Sequence, residues 1–228
     1  MLRPMTHFNR MVLVGPALLL ALLAWDASGL DLVLAQLAGG AEGFALRHDW
    51  LLTAVLHDAA KYTAYGVVVA LCVCVIWPAG PLRALPFARR LQLPVTALAA
   101  TAAVSVLKSF SATSCPWDLA EFGGVARHVS HWSGWVQSDG GGGHCFPAGH
   151  AASGFAFIGG WFALRARLPV LARWWLATAI AVGLVLGSVQ QLRGAHFMSH
   201  TLWTGWICWM VGWLAEPVFA RAELRASQ

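Results

Sequence analysis

The sequence predicts an all-α protein, a polytopic bundle of six transmembrane helices, and three observations carry that reading. Of 228 residues, 58% are hydrophobic and only 11% are charged, whereas soluble domains carry roughly 25% charged residues. The mean hydropathy is +0.63. The 13 tryptophans point the same way, because indole rings favour the border between hydrocarbon and water. Lipid or buried helix is therefore the solvent of most of this chain. The net charge of +5 does not indicate a nucleic-acid partner. Basic residues are spread over short loops, with no basic stripe or stacking motif of the kind nucleic-acid binders use.

Six apolar stretches, at about 11–25, 61–77, 93–110, 151–165, 174–190 and 201–219, justify the helices in order. Most reach or approach the roughly 17–25 residues that span a bilayer; the fourth is short and can start within the segment before it. The first follows Arg3 and Arg10 as a signal sequence would. Ala24-Trp25-Asp26-Ala27 is bulky and acidic for a cleavage site, so a retained helix is expected. Residues 26–60 form the first outer loop, with an amphipathic segment around Trp50 to Lys61. Residues 78–92, with Pro78, Pro81 and Pro86 and then Pro94, read as a proline-punctuated inner connection. The longest outer segment, about 109–147, contains Gly140-Gly141-Gly142-Gly143, which reads as a linker in preference to a flexible lip. No repeat is visible, so residues 1–228 read as a single integral membrane domain.

Basic residues orient these helices. Arg3, Arg10, Arg83, Arg89, Arg90, Arg165, Arg167, Arg173, Arg221 and Arg225 fall on one set of alternate loops and ends. The other set holds Arg47, Lys61, Lys108, Arg127 and Arg193. Ten against five is the positive-inside pattern of a bundle with both termini cytoplasmic. The remaining loops then face outward, which in a bacterial inner membrane is the periplasm.

Cys72, Cys74 and Cys208 fall inside apolar stretches and read as small buried side chains. Cys115 and Cys145 lie in the outer segment, where disulfides persist. Paired, they would close a loop of about 30 residues, worth about 3–4 kcal/mol on a chain-entropy basis. Two free thiols remain the alternative.

The residues that carry chemistry sit at the outer ends of the helices. A phosphate ester needs positive charge around its non-bridging oxygens, a nucleophile, and an acid for the leaving oxygen. Lys108 closes the third stretch and can place an ammonium where phosphates arrive, although a snorkelling lysine has the same position. The segment Cys145-Phe146-Pro147-Ala148-Gly149-His150 supplies a turn and a helix start, with Gly149 allowing close backbone approach and His150 a proton donor. Arg193-Gly194-Ala195-His196-Phe197 precedes the sixth stretch, so guanidinium and imidazole can face one pocket.

In order and spacing these residues resemble the type 2 phosphatidic acid phosphatase (PAP2) superfamily of membrane lipid phosphatases. Lys108 is followed at the family spacing by Cys115-Pro116; Pro147-Ala148-Gly149-His150 matches the second motif, and His196 the third. The resemblance covers about residues 95–215. Four positions depart from it. Cys115 stands at an arginine position, Ala148 at a serine, Gln190 at the third-motif arginine and His200 at an aspartate. Arg193, one turn from His196, can substitute for that arginine. His200 can accept a bond from His196 only when neutral and supplies no negative charge. That predicts weaker catalysis, a more alkaline optimum, or assistance from Asp118.

The resemblance implies cofactor-free and metal-free hydrolysis. His196 attacks phosphorus, His150 protonates the leaving oxygen, and His200 orients the nucleophile. Lys108, Arg193, Ala148 and Gly149, with Asp118 nearby, hold the substrate. It implies a lipid phosphate or diphosphate presented by the bilayer at the outer face, an undecaprenyl diphosphate-like lipid being favoured. Alternatives with the same residues are a lipid A 1-phosphatase and a lipid phosphotransferase. A metal-dependent hydrolase using His196 and His200 with His128, His131, His144 and Cys145 is a second enzyme reading. It lacks an acidic residue within the histidine pair. A non-catalytic transport or assembly protein is the third, against which stands the scarcity of ionisable residues inside the apolar stretches.

Overall fold

The computed structural model describes residues 7–226 and 228 and is mostly helical. Arg3 and the side chain of Arg10, both counted above, lie outside the described residues. Helix α1 (His7–Ser28) stops at Gly29, whose φ of 71° turns the chain into α2 (Leu30–Gln36) with a bend of 62°. A two-residue antiparallel pair follows, an element absent from an all-α reading. In it β1 (Gly39–Gly40) faces β2 (Gly43–Phe44), with Gly39 opposite Phe44.

The amphipathic segment near Trp50 is a π-helical stretch, Leu51–Ala59, that continues directly into α3 (Ala60–Ile76). Helix α4 (Phe87–Phe110) begins earlier than the apolar pattern suggests. Pro86 precedes its first turn, where a missing N–H costs nothing, and Pro94 lies inside the helix instead of in a connection. Helix α5 (Ala152–Leu164) is interrupted by a 3-10 turn at Ala156–Ile158. Helices α6 (Pro169–Leu192) and α7 (Met198–Ala226) complete the chain.

Among the described residues, three helical stretches are long and apolar enough to cross a membrane: Leu51–Ala84, α4 and α6. The bent pair α1–α2 makes at most a fourth. Helix α5 is too short, since its residues rise only about 20 Å against a hydrocarbon core of about 30 Å. Helix α7 has the length, at 29 residues, but Trp203, Trp206, Trp209, Trp213 and Glu216 reduce its hydropathy. Six equivalent spans are thus a finer statement than length and composition support.

Helices α4, α5, α6 and α7 pack around one core, with Ala100, Val104, Phe155, Ile158 and Phe162 at its centre. Small residues set the approach distance, as in other membrane bundles. A Cβ on Gly154 would lie 2.3 Å from the backbone nitrogen of Gly183, so α5 and α6 meet there only as glycine on glycine. Of the apolar-stretch cysteines only Cys208 is buried; Cys72 is exposed on the outside of α3.

One end of this core is closed by ions. The Arg89 guanidinium bonds Glu216 at 2.8 Å and Glu223 at 2.7 Å. Arg165 reaches Glu216 at 3.1 Å and Arg167 reaches Glu223 at 2.9 Å. Gln92 accepts from Arg89 at 2.8 Å and donates to Glu216 at 3.1 Å. The start of α4, the end of α5 and the end of α7 are therefore held together. Lys108 closes α4 at the opposite end.

Candidate active site

At that opposite end, three chain segments meet. Lys108 lies in the last turn of α4, and a Cβ built on Gly149 would sit 3.7 Å from its Cδ and 4.0 Å from its Nζ. The first and second segments singled out in the sequence are thus in contact. No carboxylate forms an ion pair with Lys108 among the described residues. His150 sits in the turn that opens α5, where Ala152 and Ser153 bond back to the carbonyls of Gly149 and His150 at 3.1 Å each. Ala148 plays a different part from the substrate contact expected of it. It is fully buried, its N–H donates to the His200 carbonyl at 3.2 Å, and its carbonyl accepts from the Thr204 hydroxyl at 3.0 Å. It pins the turn to α7.

The outer segment is pinned as well. Cys115 and Cys145 are disulfide-bonded, with Cα atoms 5.2 Å apart. The glycine run is no plain linker, because it wraps a buried carboxylate. Asp139 accepts from the Ser114 N–H at 2.6 Å, the Ser114 hydroxyl at 2.7 Å and the Gly141 N–H at 3.0 Å. Nothing in the sequence pattern marks Asp139 for this role except its place beside the glycines.

The third segment is set by the end of α6. Ala195 N–H bonds the Gln190 carbonyl at 2.8 Å and Gly194 N–H bonds the Gln191 carbonyl at 2.9 Å. With Gly194 at φ 74°, this is a Schellman cap. Gly194 also has no room for a side chain, since a Cβ would lie 2.3 Å from the Phe44 ring. The cap delivers His196 to the site after a short connection. Arg193 donates to the Gln190 side-chain oxygen at 3.0 Å and to the Arg47 carbonyl at 3.2 Å. The guanidinium is therefore tied to the residue that occupies the expected arginine position. Burial lowers the Arg193 pKa from the ordinary arginine value, with Asp58 opposing. The Gln190 amide nitrogen is buried without a hydrogen-bond partner among the described residues, a donor in want of an acceptor.

The imidazoles converge. Ring centroids of His150 and His196 are 6.1 Å apart, and those of His196 and His200 are 5.8 Å apart. His200 does not hydrogen-bond His196. Its Nδ1 has no hydrogen-bond partner among the described residues, and its ring lies edge-on to His131 and to Phe146. The neighbour at His196 Nδ1 is Cys145, whose Sγ lies 3.4 Å away. His196 is held well below the ordinary histidine pKa, first by burial and then by Lys108, His200 and His150, partly opposed by a bond to the Cys145 backbone. It is neutral at neutral pH, with a lone pair available for attack. Asp118 takes no part in this. Its carboxylate accepts the indole N–H of Trp117 at 3.1 Å.

A cavity of about 490 Å³ opens from the site between α3, α4 and the start of α5. Lys61, Lys108, Gly149 and His150 line it, with Tyr65, Thr101 and Ser105, while Val68, Val69 and Leu98 line its other reach. His196 and Arg193 are not in its wall; His196 lies behind His150. In the sequence Lys61 counts only toward the charge balance of the loops, and the amphipathic stretch that ends there is the one sign of its place in the cavity. The histidines named for a metal reading are divided. His128, His131 and His200 line a separate space of about 210 Å³ beside Asp26 and Asp31, and exposed His144 rests against the Lys108 carbonyl at 3.3 Å. Among the described residues the one trio with ligand atoms close together is Cys115, Cys145 and His196, whose sulfurs are bonded to each other.

The family model of the PAP2 superfamily matches residues 90–223, more than half of the chain and all three segments just described. The chain belongs to the PAP2 superfamily. Its members are phosphatases, so the coarse activity is hydrolysis of a phosphoric ester. No curated protein and no solved structure gives a match. Lys108, Pro147–His150 and His196 all lie within the matched residues and at one end of the bundle.

Proposed function

We propose that this PAP2 protein hydrolyses a lipid phosphate or diphosphate, an undecaprenyl diphosphate-like lipid being favoured, through a phosphohistidine intermediate. The observation that carries the reading is the graded cavity. Its cationic wall is Lys61 at the start of α3 and Lys108 at the end of α4. Val69 and Leu98 lie about 12–15 Å further along those helices by helical rise. A phosphate head and a hydrocarbon chain match that gradient. A second, apolar cavity of about 510 Å³ shares Ala64, Ser153 and Phe157 with the first and continues past Leu171, Trp174 and Val182. A chain leaving the site would pass into it and so into lipid.

In the first step the neutral His196 ring attacks phosphorus, the bond to the leaving oxygen breaks, and protonated His150 gives that oxygen its proton. Water then attacks the phosphohistidine and gives its proton to His150, releasing inorganic phosphate and free His196. Lys108 would neutralise the non-bridging oxygens, and the Gln190 amide N–H, held in place by Arg193, would donate to one of them. The Cys145 backbone and sulfur, in place of His200, would hold the ring of His196.

The arginine distribution supports an orientation with both termini cytoplasmic, six helical passes and the site on the outer face of a bacterial inner membrane. The ion-paired end, with Arg89, Arg165 and Arg167, then faces the cytoplasm. The experiment is phosphate release by the purified chain from a panel of lipids: a polyprenyl diphosphate, phosphatidic acid, phosphatidylglycerol phosphate and lipid A. Labelling quenched in alkali, where the P–N bond of phosphohistidine survives, with the label mapped to His196, is expected. Label on His150 would reverse the two roles, and transfer of phosphate to a second lipid would make the protein a phosphotransferase. Turnover of none of them would end the reading.

A further inference from the structure

The cavity holding Lys108 and His150 contains a second ammonium that none of the three motifs accounts for. Lys61 lines the same space as Lys108, Gly149 and His150. Helices α3 and α4 are joined by a short connection and pack against each other, so the start of one lies beside the end of the other. Both lysines therefore occupy one end of the cavity. On α3, Lys61, Tyr65, Val68 and Val69 all line the cavity, and their spacing places them on one helix face. Lys61 Nζ is 5.9 Å from the Tyr65 ring, a contact at the limit of cation–π range.

No aspartate or glutamate is in the cavity wall among the described residues. Two like charges facing one partly desolvated space repel each other, and a ligand with several negative charges relieves that repulsion. The expected sources of extra positive charge are committed elsewhere. Cys115, at the first-motif arginine position, is in a disulfide, and Arg193 is bonded to Gln190 and Arg47 outside the cavity wall. Lys61, from a helix that precedes the family region, supplies it.

We propose that Lys61 is a specificity-determining residue that binds the ester-linked phosphoryl group of a lipid diphosphate while Lys108 and His150 address the terminal one. The inference rests on the phosphatase reading above. The bond from His196 forms at the terminal phosphorus, and the bridging oxygen leaves with the lipid monophosphate, protonated by His150. The charge left on that monophosphate is what Lys61 neutralises. With a lipid monophosphate as substrate the leaving group is the lipid alcohol, which gives Lys61 no charged partner.

The test compares the purified full chain with Lys61→Gln and Lys61→Arg on farnesyl diphosphate and farnesyl monophosphate in detergent micelles. Loss of one charge-assisted contact should lower the diphosphate-to-monophosphate ratio of kcat/KM by about 10- to 100-fold in Lys61→Gln. Lys61→Arg should recover most of it. An unchanged ratio overturns the assignment. Should the unsubstituted chain turn over neither lipid, thermal shift with inorganic pyrophosphate and with phosphate decides. Stabilisation by pyrophosphate that Lys61→Gln removes keeps Lys61 as a diphosphate-binding residue and discards the phosphatase reading. Stabilisation that Lys61→Gln leaves intact, or none at all, discards Lys61.

Discussion

The two ends of this bundle treat charge in opposite ways. At one end Arg89, Arg165 and Arg167 each have a carboxylate, from Glu216 or Glu223, within 3.1 Å. At the other, Lys61 and Lys108 share a cavity with no acidic wall residue among the described residues, next to a buried neutral His196. Buried charges are tolerated when paired, and removing one partner exposes the cost of the other. The paired end is therefore built to hold helices together. The unpaired end holds a potential that only an anion satisfies. The contrast teaches that charge balance, more than charge content, separates the structural from the functional polar cluster in this chain.

Substitutions can break that contrast, and the largest effect belongs to the unpaired end. His196→Ala should reduce phosphate release by about 10⁴-fold or more, with membrane insertion and melting temperature close to those of the parent. Turnover near the parent level would remove His196 as nucleophile. Lys108→Gln should cost about 10²- to 10³-fold in kcat/KM, as losing an electrostatic contact to the transferring group does elsewhere. At the paired end the order inverts. Glu216→Ala takes one carboxylate away from both Arg89 and Arg165, leaving Glu223 to Arg89, and should cost about 3–5 kcal/mol of stability in denaturant titrations. The activity per folded molecule should hardly change. A Glu216→Ala protein that melts normally but loses kcat would show that the two ends are coupled.

Cys115→Ser sharpens the comparison further, since the disulfide holds the outer segment on which the unpaired end depends. About 3–4 kcal/mol of stability should be lost on a chain-entropy basis. Alkylation of both thiols in the untreated parent protein would show instead that no bond had formed.

The smallest effect is that of pH. His196 is held below the ordinary histidine pKa, so below about pH 6.5 the unfolded chain takes up a proton that the folded protein refuses. The unfolded state then binds more protons, and stability falls as pH drops below that value, by at most about 1.4 kcal/mol per unit for this residue. Above it the contribution is flat. Melting temperatures from pH 8 to 5 check the sign. The same depression puts the nucleophile in its reactive form at lower pH, so the acid limb of the rate profile moves down, opposite to the alkaline displacement that the loss of an aspartate suggested.

The helical class and the three segments of the site were legible because both are local properties. Apolar run length marks helices, and Lys108, Gly149, His150 and His196 are recognisable by type and spacing. What was not legible depends on contacts between distant segments. Whether α5 is long enough to span is decided by where Pro169 starts the next helix and by the turn before Ala152. His200 has the spacing of an orienting partner, yet its ring faces His131 and Phe146 while Cys145 takes the Nδ1 side of His196. Lys61 looks like any helix-end lysine until α3 is packed on α4. Arg193 and Gln190 read as a loss and a substitute, and only their hydrogen bond makes them one unit.

The bond between Cys115 and Cys145 has a consequence for the chain as a covalent object. Everything from Pro116 to His144 is a closed ring, so one cut within it does not separate the polypeptide. Arg127 is exposed on that ring. Trypsin acting there should leave a molecule that migrates as one species until a reductant is added and as two afterwards. The Lys108 and His150 segments would stay tethered to each other even in a protein whose backbone has been opened.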